Sequence, residues 1–233
     1  MTAPDARRLA LVTGASRGIG AAVAEALAPT HDLLLGGRDA DALTATAAGL
    51  PGAREWPVDL TDADALADAV SGIDRLDVLV HSAGIGPLGT VADSPAEQWR
   101  RTFEVNVVAV AELTRLLLPA LRAARGHVVC VNSGAGFTAR PGWGSYAASK
   151  FALRAFADAL RAEEAAHGVR VTSVHPGRTD TDMQRSVVAH EGGEYDGSRF
   201  LRPVSVAWAV HLAVTAPSDA DVTELSIRPS PGP

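Results

Sequence analysis

The stretch LALVTGASRGIG, residues 9–20, joins a short apolar segment to a turn that contains three glycines. The apolar segment Leu9–Thr13 is typical of a buried β-strand, and an alanine-rich, helix-forming segment follows the turn. A strand, a glycine turn and a helix in this order predict a phosphate-binding site at the helix N-terminus. In such a site Gly14 permits the tight turn, Gly18 lets the backbone approach a pyrophosphate, and Gly20 lets the helix pack closely on the strand.

A serine, a tyrosine and a lysine follow in VNSGAGFTARPGWGSYAASKFAL, as Ser133, Tyr146 and Lys150. The spacing of Tyr146 and Lys150 puts both side chains on one face of a helix, one turn apart. A nearby ammonium group favours phenolate, so the pattern predicts that the tyrosine pKa is lowered from about 10 toward neutrality. Such a phenol exchanges protons at physiological pH, as general acid–base catalysis requires. Ser133 adds a hydroxyl that can hold a carbonyl or alcohol oxygen.

Together these motifs resemble those of the short-chain dehydrogenase/reductase family, in the expected order from Leu9 to Thr181. The resemblance implies hydride transfer between a nicotinamide cofactor and a carbonyl or alcohol carbon. The implied catalytic residues are Asn106, Ser133, Tyr146 and Lys150. The implied cofactor-binding residues are Gly14, Ser16, Arg17, Gly18, Ile19, Gly20, Arg38, Asp59, Leu60, Ala83, Gly84, Tyr146, Lys150, Pro176, Gly177, Thr179 and Thr181.

The resemblance also implies individual roles. Tyr146 donates the proton in reduction, and Lys150 lowers the tyrosine pKa and holds the nicotinamide ribose. Asn106 is either a hydrogen-bonded buried amide or, by resemblance, the holder of a water that connects Lys150 to solvent. Asp59 bonds the adenine edge or caps the helix that follows it, and the two roles are compatible.

The family pattern is broken in one place. Where the family usually has Asn-Asn-Ala-Gly, this chain has His81-Ser82-Ala83-Gly84. Ala83 and Gly84 keep the small residues that allow a close approach of the cofactor. The change puts in doubt how His81 and Ser82 stabilise the sheet and the adenosine contact, but not the reaction.

Strand and helix patterns alternate along the chain, which predicts an α/β fold with a parallel sheet and helices on both faces. We expect one Rossmann-type, doubly wound domain over residues 1–233, with about seven strands. The predicted strands are Leu9–Thr13, Asp32–Gly37, Arg54–Val58, Val78–His81, His127–Asn132, Val169–His175 and Thr223–Ile227. The predicted helices are Gly18–Ala28, Ala40–Ala48, Asp62–Ser71, Pro95–Ala124 (with a kink or break at Pro119), Ser145–His167 and Val204–Thr215.

One segment escapes this alternation. Residues 180–203 are polar, contain glycine and read as irregular, and long loops of this kind are often lids or binding loops. In the family this position covers the substrate. Phe137 and Trp143 lie between Ser133 and Tyr146, so we expect them at the substrate pocket, with packing beneath the loop as the alternative for both.

The second predicted strand carries the signal for cofactor preference. A fold that prefers NAD usually has an acidic residue at its end, bonded to the ribose 2′-hydroxyl. Here that place is taken by Gly37, and Arg38 follows. Arg38 and Arg17 can bind a 2′-phosphate, which favours NADP(H). Asp39 is expected to cap the next helix; if it turned to the ribose instead, NAD would be tolerated.

Composition excludes several classes of protein. The chain has 233 residues, 47% of them hydrophobic, and a net charge of −6, which argues against nucleic acid as a partner. The single cysteine, Cys130, excludes an internal disulfide, and the histidines have no metal-ligand spacing, so we expect no metal site. There is no apolar stretch of 18 residues and no signal-peptide core, so we expect a cytoplasmic protein without a membrane partner.

The sequence therefore predicts an NADPH-dependent reductase of a small ketone or aldehyde. The alternatives are an NAD-dependent alcohol dehydrogenase working in the oxidative direction and a nucleotide-binding regulator without turnover. By resemblance we expect a homodimer or homotetramer, formed through the helices predicted at Pro95–Ala124 and Ser145–His167. The apolar positions that would serve this contact or the internal core equally well are Leu113, Leu117, Leu153, Phe156 and Leu160.

Overall fold

Seven short segments, apolar in the middle of the sheet and more polar at its two edges, form one parallel sheet in a computed structural model, which describes residues 7–230. The ends of the predicted domain, at residues 1 and 233, and the last three residues of the chain lie outside the described residues. The strands are β1 (Arg8–Thr13), β2 (His31–Gly37), β3 (Ala53–Pro57), β4 (Val78–His81), β5 (His127–Val131), β6 (Arg170–Pro176) and β7 (Glu224–Ile227). Their order is β3-β2-β1-β4-β5-β6-β7, and every neighbouring pair is parallel. The predicted fold class is confirmed, and the predicted strand ends differ from the observed ones by one residue.

Helices connect the strands and cover both faces of the sheet. They are α1 (Gly18–Leu27), α2 (Ala40–Ala47), α3 (Ala63–Val70), α4 (Ala96–Phe103), α5 (Ala109–Ala124), α6 (Gly144–Glu164), α7 (Asp182–His190) and α8 (Pro203–Val214). Side chains alternate between faces along each strand. In β1, Val12 therefore packs with α1 and α8, whereas Leu11 packs with α3, α5 and α6. The two apolar layers enclose the sheet and leave only its edges and ends open.

The long helix predicted at Pro95–Ala124 is wrong in detail. The structure divides it into α4 and α5 with one wider π-helical turn, Glu104–Val108, between them. Pro119 does not break α5, because it lies on the exposed side, where water can satisfy the backbone carbonyl that loses its partner. The interruption falls at Asn106, where a polar side chain is buried.

The segment predicted to be irregular, residues 180–203, contains a helix. Thr181 accepts a hydrogen bond from the backbone N–H of Gln184 and so caps α7, and Asp182 lies in its first turn. A single 3-10 turn, Gly197–Arg199, follows farther along. The glycines between these two elements make the whole segment look irregular when it is judged by composition alone.

Four of the five apolar residues that were open to either role, Leu113, Leu117, Leu153 and Leu160, are buried in the core, and Phe156 packs against it. Other apolar side chains are exposed: Val108 and Phe151 near α5 and α6, and Val204, Trp208 and Leu212 along α8. The spacing of the last three places them on one face of α8.

None of the helices formed by residues 7–230 has the length and apolarity needed to cross a membrane. Within the same residues, no group of three or more His, Cys, Asp or Glu side chains could hold a metal ion.

Candidate active site

The candidate site lies at the carboxyl ends of the strands, where β1 and β4 are neighbours and the chain winds away in opposite directions. Open α/β sheets bind ligands in the crevice at such a switch point. Thr13, the last residue of β1, joins the two strand ends. Its buried hydroxyl donates to the carbonyl of Val80 and accepts from the N–H groups of Ser82 and Ala83. The glycine turn after β1 is thereby held against the loop after β4.

The glycine turn leaves no room for side chains at two of its positions. Gly14 has φ +66°, and a Cβ placed on it would lie 2.9 Å from the backbone of Ala83. A Cβ on Gly20 would lie 2.2 Å from the carbonyl oxygen of Gly14. The first turn of α1 therefore packs directly on the end of β1, as the sequence predicts for Gly20.

Replacing Gly20 with alanine should destabilise the protein by about 1–3 kcal/mol or more, because the new methyl group meets backbone that has no free space to move into. Gly49→Ala is the matched control. Its Cβ would have no atom within 4 Å and its φ is not in the left-handed region, so we expect a change within about 0.5 kcal/mol. Urea unfolding of both variants measures the difference. Equal midpoints for Gly20→Ala and wild type would contradict the packing described here.

The N-terminus of α1 has no side-chain cap. At Arg17, its N-cap residue, the side chain accepts no hydrogen bond from the helix backbone. By contrast, Asp39, Asp62 and Thr181 cap α2, α3 and α7 with side-chain oxygens. Free N–H groups at a helix N-terminus attract anions, so α1 alone among these four helices is left open for one.

Asn106 joins the loop after β4 to α6. Its Oδ1 accepts from the N–H of Ile85, while its Nδ2 donates to the Ile85 carbonyl and to the Ser149 hydroxyl. Ser149 in turn donates to the carbonyl of Tyr146. The wider π-helical turn brings the amide into this position. Its side chain is thus a fully bonded buried amide, one of the two alternatives that the sequence left open.

Lys150 is buried beneath the site. Its Nζ donates to the carbonyl of Val131, 3.2 Å away, and lies about 4.0 Å from where a Cβ on Gly84 would be. Burial lowers the pKa of Lys150 to about 8. Its ammonium group therefore loses its proton at a lower pH than that of an exposed lysine.

Tyr146 stands one turn before Lys150 on α6, as predicted, but the prediction of an acidic tyrosine is wrong for the protein without ligands. Burial raises the pKa of Tyr146 above its usual value, and a hydrogen bond with the Ser133 side chain works in the opposite direction. The Nζ of Lys150 lies 5.9 Å from the centre of the phenol ring. Desolvation therefore outweighs the attraction of the ammonium group.

Ser133 follows β5 and is held on two sides. Its hydroxyl accepts from the N–H of Ala135, and its carbonyl oxygen lies 3.0 Å from Nδ1 of the buried His175. The centre of the Phe137 ring lies 4.3 Å from the centre of the His175 ring. The guanidinium of Arg154 lies over the Phe137 ring, also 4.3 Å from its centre. A stack of side chains beneath the loop thus fixes the position of Ser133.

Ser133 and Tyr146 line one cavity of about 520 Å³. Five of the residues predicted to bind the cofactor line it too: Ile19, Pro176, Gly177, Thr179 and Thr181. Of the two predicted pocket aromatics, Trp143 lines the cavity and packs edge-on against Tyr146, with ring centres 5.9 Å apart. Phe137 is not among the described residues that line it, because it packs beneath the loop on His175.

The hydroxyls of Thr179 and Thr181 already have partners. Thr179 donates to the carbonyl of Gly177, and Thr181 donates to the carbonyl of Thr179 while capping α7. The methyl group of Thr181 lies 3.4 Å from where a Cβ on Gly18 would be. These contacts place the start of residues 180–203, which we call the lid segment, directly against the glycine turn.

The residues predicted for the adenosine side lie at the ends of β2 and β3. The side chain of Asp59 accepts from the N–H and hydroxyl of Thr61, which hold the pKa of its carboxyl below its usual value, with smaller contributions from Arg38 and Arg101. The helix α3 is capped by Asp62, so the expected cap at Asp59 is wrong. Leu60 packs against the apolar layer beside it.

The two arginines proposed for the 2′-phosphate are arranged differently. Arg17 is exposed and pairs with Asp182 of α7 at 3.6 Å, whereas Arg38 is exposed and forms no ion pair within residues 7–230. Asp39 accepts from the N–H of Ala42 and caps α2, as predicted. One oxygen of its carboxylate is therefore bonded to the backbone of α2.

His81, which replaces the usual asparagine, is part of the core. Its Nε2 lies 2.8 Å from the hydroxyl of Thr114 in α5, and burial lowers its pKa to about 3. The imidazole is thus neutral and joins β4 to α5. Ser82 contributes its N–H to the Thr13 hydroxyl.

Sequence reasoning missed the supporting residues Ser149 and His175. Ser149 lies three residues after Tyr146, a spacing that puts it on the same side of α6. His175 directly precedes Pro176, but nothing in its type or position indicates the contact with Ser133, which depends on how β5 and β6 align.

The comparisons with known proteins agree with this geometry. Residues 8–192 match the family model described as short chain dehydrogenase. The chain is 36% identical to a glycine betaine reductase of Emericella nidulans over 99% of its own length, although it spans only 19% of that longer protein. An alcohol dehydrogenase from Thermococcus sibiricus, solved with 5-hydroxy-NADP, superposes with a TM-score of 0.86 at 28% identity, covering 96% of this chain and 97% of that one.

A metagenomic short-chain oxidoreductase in complex with NADP is similar as well. It has a TM-score of 0.82 and 31% identity, with 97% of this chain and 98% of that one covered. The match to the family model extends over most of the chain and includes Ser133, Tyr146 and Lys150. The protein therefore belongs to the short-chain dehydrogenase/reductase family of oxidoreductases.

Proposed function

We propose that this protein is an NADPH-dependent reductase that converts a small ketone or aldehyde to an alcohol. The observation that carries the proposal is the shared cavity. Ser133 and Tyr146 line the same space as Pro176, Gly177 and Thr179, which are predicted to bind the cofactor. A carbonyl group in that space has a proton donor and a hydroxyl within reach of its oxygen.

The residues present fit such a cofactor. The glycine turn has no side chain at Gly14, Gly18 and Gly20, and the N-terminus of α1 keeps its N–H groups uncapped for the pyrophosphate. Gly37 leaves the end of β2 without an acidic group, and Arg38 stands beside it without an ion pair inside residues 7–230. When bound, the nicotinamide supplies the hydride.

The protonation states favour reduction. The raised pKa of Tyr146 keeps it as the neutral phenol at physiological pH, which is the form that donates a proton. The Ser133 hydroxyl hydrogen-bonds the same substrate oxygen and fixes it beside the phenol. Lys150, charged below its pKa of about 8, stabilises negative charge that develops on the phenol oxygen as the proton leaves. Oxidation of an alcohol requires phenolate at the start, which this environment disfavours.

Asn106 contributes through position. Its amide holds Ile85 and Ser149 in place, and Ser149 holds the backbone of Tyr146. We propose that the π-helical turn also supplies the water contact that the family resemblance implies. The amide fixes the distance between the loop after β4 and α6, on which both Tyr146 and Lys150 stand.

The test of the proposed function is the rate of NADPH oxidation over a panel of ketones and aldehydes, with NADH in parallel. We expect turnover of at least one carbonyl compound with NADPH and much slower turnover with NADH. Preference for NADH would refute the assignment of Arg38. Tight cofactor binding without turnover on any carbonyl compound would favour a regulator that retains the fold.

Gly37→Asp and Arg38→Gln should both reduce the preference for NADPH. An aspartate at the end of β2 repels a 2′-phosphate and bonds a ribose hydroxyl, and loss of Arg38 removes a charge-assisted contact. We expect the ratio of kcat/KM for NADPH over NADH to fall by about 10- to 100-fold in each variant. A Cβ on Gly37 lies 3.2 Å from Leu43, so Gly37→Asp also requires Leu43 to move, and Arg38→Gln serves as the variant free of this strain. An unchanged ratio in Arg38→Gln would contradict the assignment.

We also propose that copies of the chain associate. Val204, Trp208 and Leu212 form an exposed apolar face on α8, and Val108 and Phe151 are exposed near α5 and α6. Sedimentation of the wild type and of Trp208→Glu decides which face serves. We expect a dimer or tetramer for the wild type and a smaller species for the variant if α8 forms the contact.

A further inference from the structure

The cavity at Ser133 and Tyr146 carries a charge opposite to that of the whole protein. Its lining includes Arg140, Arg178, Arg199 and Arg228, and among residues 7–230 no Asp or Glu lines it. The chain as a whole has 27 acidic and 21 basic residues and a net charge of −6. The positive charge around the cavity is therefore a local arrangement and does not follow from composition.

These arginines are largely without acidic partners. Arg178 pairs with Glu191, but Arg228 donates only to the backbone carbonyls of His175 and Ile227. The side chains of Arg140 and Arg199 form no ion pair or hydrogen bond within residues 7–230, although the charge of Arg199 contributes weakly to lowering the pKa of Asp196. By contrast, many arginines elsewhere do pair with carboxylates, among them Arg75, Arg115, Arg122, Arg161 and Arg185.

The arginines lie on different elements around the reacting groups. Arg140 is in the loop that leads to α6 and Tyr146, and Arg199 is in the 3-10 turn of the lid segment. Arg228 follows β7, and its guanidinium lies 3.3 Å from where a Cβ on Gly134, the neighbour of Ser133, would be. Three separate parts of the chain thus bring positive charge to one cavity.

The remaining lining is uncharged and partly apolar. Leu88, Trp143, Met183, Val187 and Phe200 line the same cavity of about 520 Å³. This volume suits a small organic molecule with an apolar body. Guanidinium groups bind carboxylate and phosphate with paired, charge-assisted hydrogen bonds, and a cleft of one sign raises the local concentration of the opposite ion.

Resting on the proposed function, we infer that the preferred substrate is an anionic carbonyl compound with an apolar body. Its carboxylate or phosphate group is held by Arg140 and Arg199, while its carbonyl oxygen lies at Ser133 and Tyr146. A carbonyl compound with a positive charge is disfavoured by the same arginines. The reaction itself is the proposed reduction, in which the carbonyl carbon receives the hydride and the oxygen receives the proton.

A panel built on one aromatic aldehyde tests this inference. The members are 4-carboxybenzaldehyde, 4-formylphenyl phosphate, the neutral methyl 4-formylbenzoate and the cationic 4-(trimethylammonio)benzaldehyde. We expect kcat/KM with NADPH to be at least about tenfold higher for an anion than for the ester, and lowest for the cation. The two anionic members show whether carboxylate or phosphate fits better. The preference should shrink as salt is raised from low to physiological levels and beyond.

Variants locate the effect. Arg140→Gln and Arg199→Gln should each lower kcat/KM for the anions by about tenfold and leave the ester within about twofold. Arg54→Gln is the matched control, because Arg54 is an exposed arginine on β3 that has no ion pair inside residues 7–230 and does not line the cavity. We expect it to change neither substrate class.

The outcomes separate this inference from the proposed function. Reduction of the ester as fast as of the anions overturns the inference and leaves the reductase in place. A rise in KM for NADPH, rather than for the aldehyde, in Arg140→Gln and Arg199→Gln also overturns it, because the arginines then serve the cofactor. If no aldehyde is reduced, the proposed function fails. Calorimetry with 4-carboxybenzyl alcohol and its methyl ester then decides, and equal affinities overturn the inference.

Discussion

Tyr146→Phe is expected to lower kcat for carbonyl reduction by about 10²- to 10⁴-fold, the range that a positioned proton donor contributes. The substitution removes one oxygen from a half-buried ring and leaves the ring contact with Trp143 in place. The affinity for NADPH should change far less than kcat, since Tyr146 is only one of many residues predicted to bind the cofactor. Steady-state kinetics, with cofactor binding followed by fluorescence, measure both quantities.

Tyr195→Phe is the matched control for this substitution. Tyr195 is the only other tyrosine in the chain, and its hydroxyl donates to Asp180 in the lid segment, away from Ser133. We expect its kcat to stay within about threefold of wild type. Because there are two tyrosines, ring carbon NMR of the wild type and of Tyr195→Phe also assigns the Tyr146 signal. In the free protein that signal should titrate at a higher pH than an ordinary tyrosine, since burial raises the pKa of Tyr146. Undiminished turnover in Tyr146→Phe would refute the mechanism.

Acidification is also expected to have a large effect, in this case on the stability of the folded protein. Burial lowers the pKa of both His81 and His127 from 6.5 to about 3. The unfolded chain binds these protons below pH 6.5, and the folded protein does not bind them until about pH 3. Each histidine therefore contributes stability that is complete above about pH 6.5 and is lost as the pH falls toward 3, by about 5 kcal/mol. The sum for both is comparable to the whole stability of an ordinary domain, so we expect unfolding within this range.

Substitutions assign this effect to the two imidazoles. Urea unfolding at several pH values between 7.5 and 4 gives the slope of unfolding free energy against pH, which counts the protons taken up on unfolding. His81→Asn and His127→Gln should each lower that number by about one. His190→Gln, which changes an exposed histidine, should leave the slope unchanged. Equal slopes in all four proteins would show that other groups cause the acid sensitivity.

Much of the fold follows from short-range patterns in the sequence. The inner strands are runs of apolar residues bounded by turn residues, the edge strands β3 and β7 are mixed, and all seven are predicted to within one residue. The glycine turn, Ser133, Tyr146 and Lys150 are recognisable because their chemistry requires particular residue types at particular spacings. The break at Asn106 could not be predicted, because it depends on a hydrogen bond to Ile85 across the fold.

The properties that depend on burial could not be predicted from the sequence either. The helix spacing of Tyr146 and Lys150 suggests mutual attraction, but both groups are desolvated by burial, and for the phenol this reverses the expected shift of the pKa. The arginines around the cavity come from sequence positions 140, 178, 199 and 228, which only the folded chain brings together. Phe137 and Trp143 look alike in sequence, and the path of one loop decides that only Trp143 reaches the cavity.

The position of β1 in the sheet has a consequence for how the protein is made. This strand is synthesised before the other six strands of the sheet and can pair with β2 soon afterwards, but its other edge is unpaired until β4 is made, which begins only at Val78. Until then an apolar strand with unpaired backbone groups stays open on one side, and open edges invite pairing with other chains. Slow synthesis over residues 38–77 would prolong this exposure, so translation speed and chaperone supply over that stretch should decide the yield of folded protein.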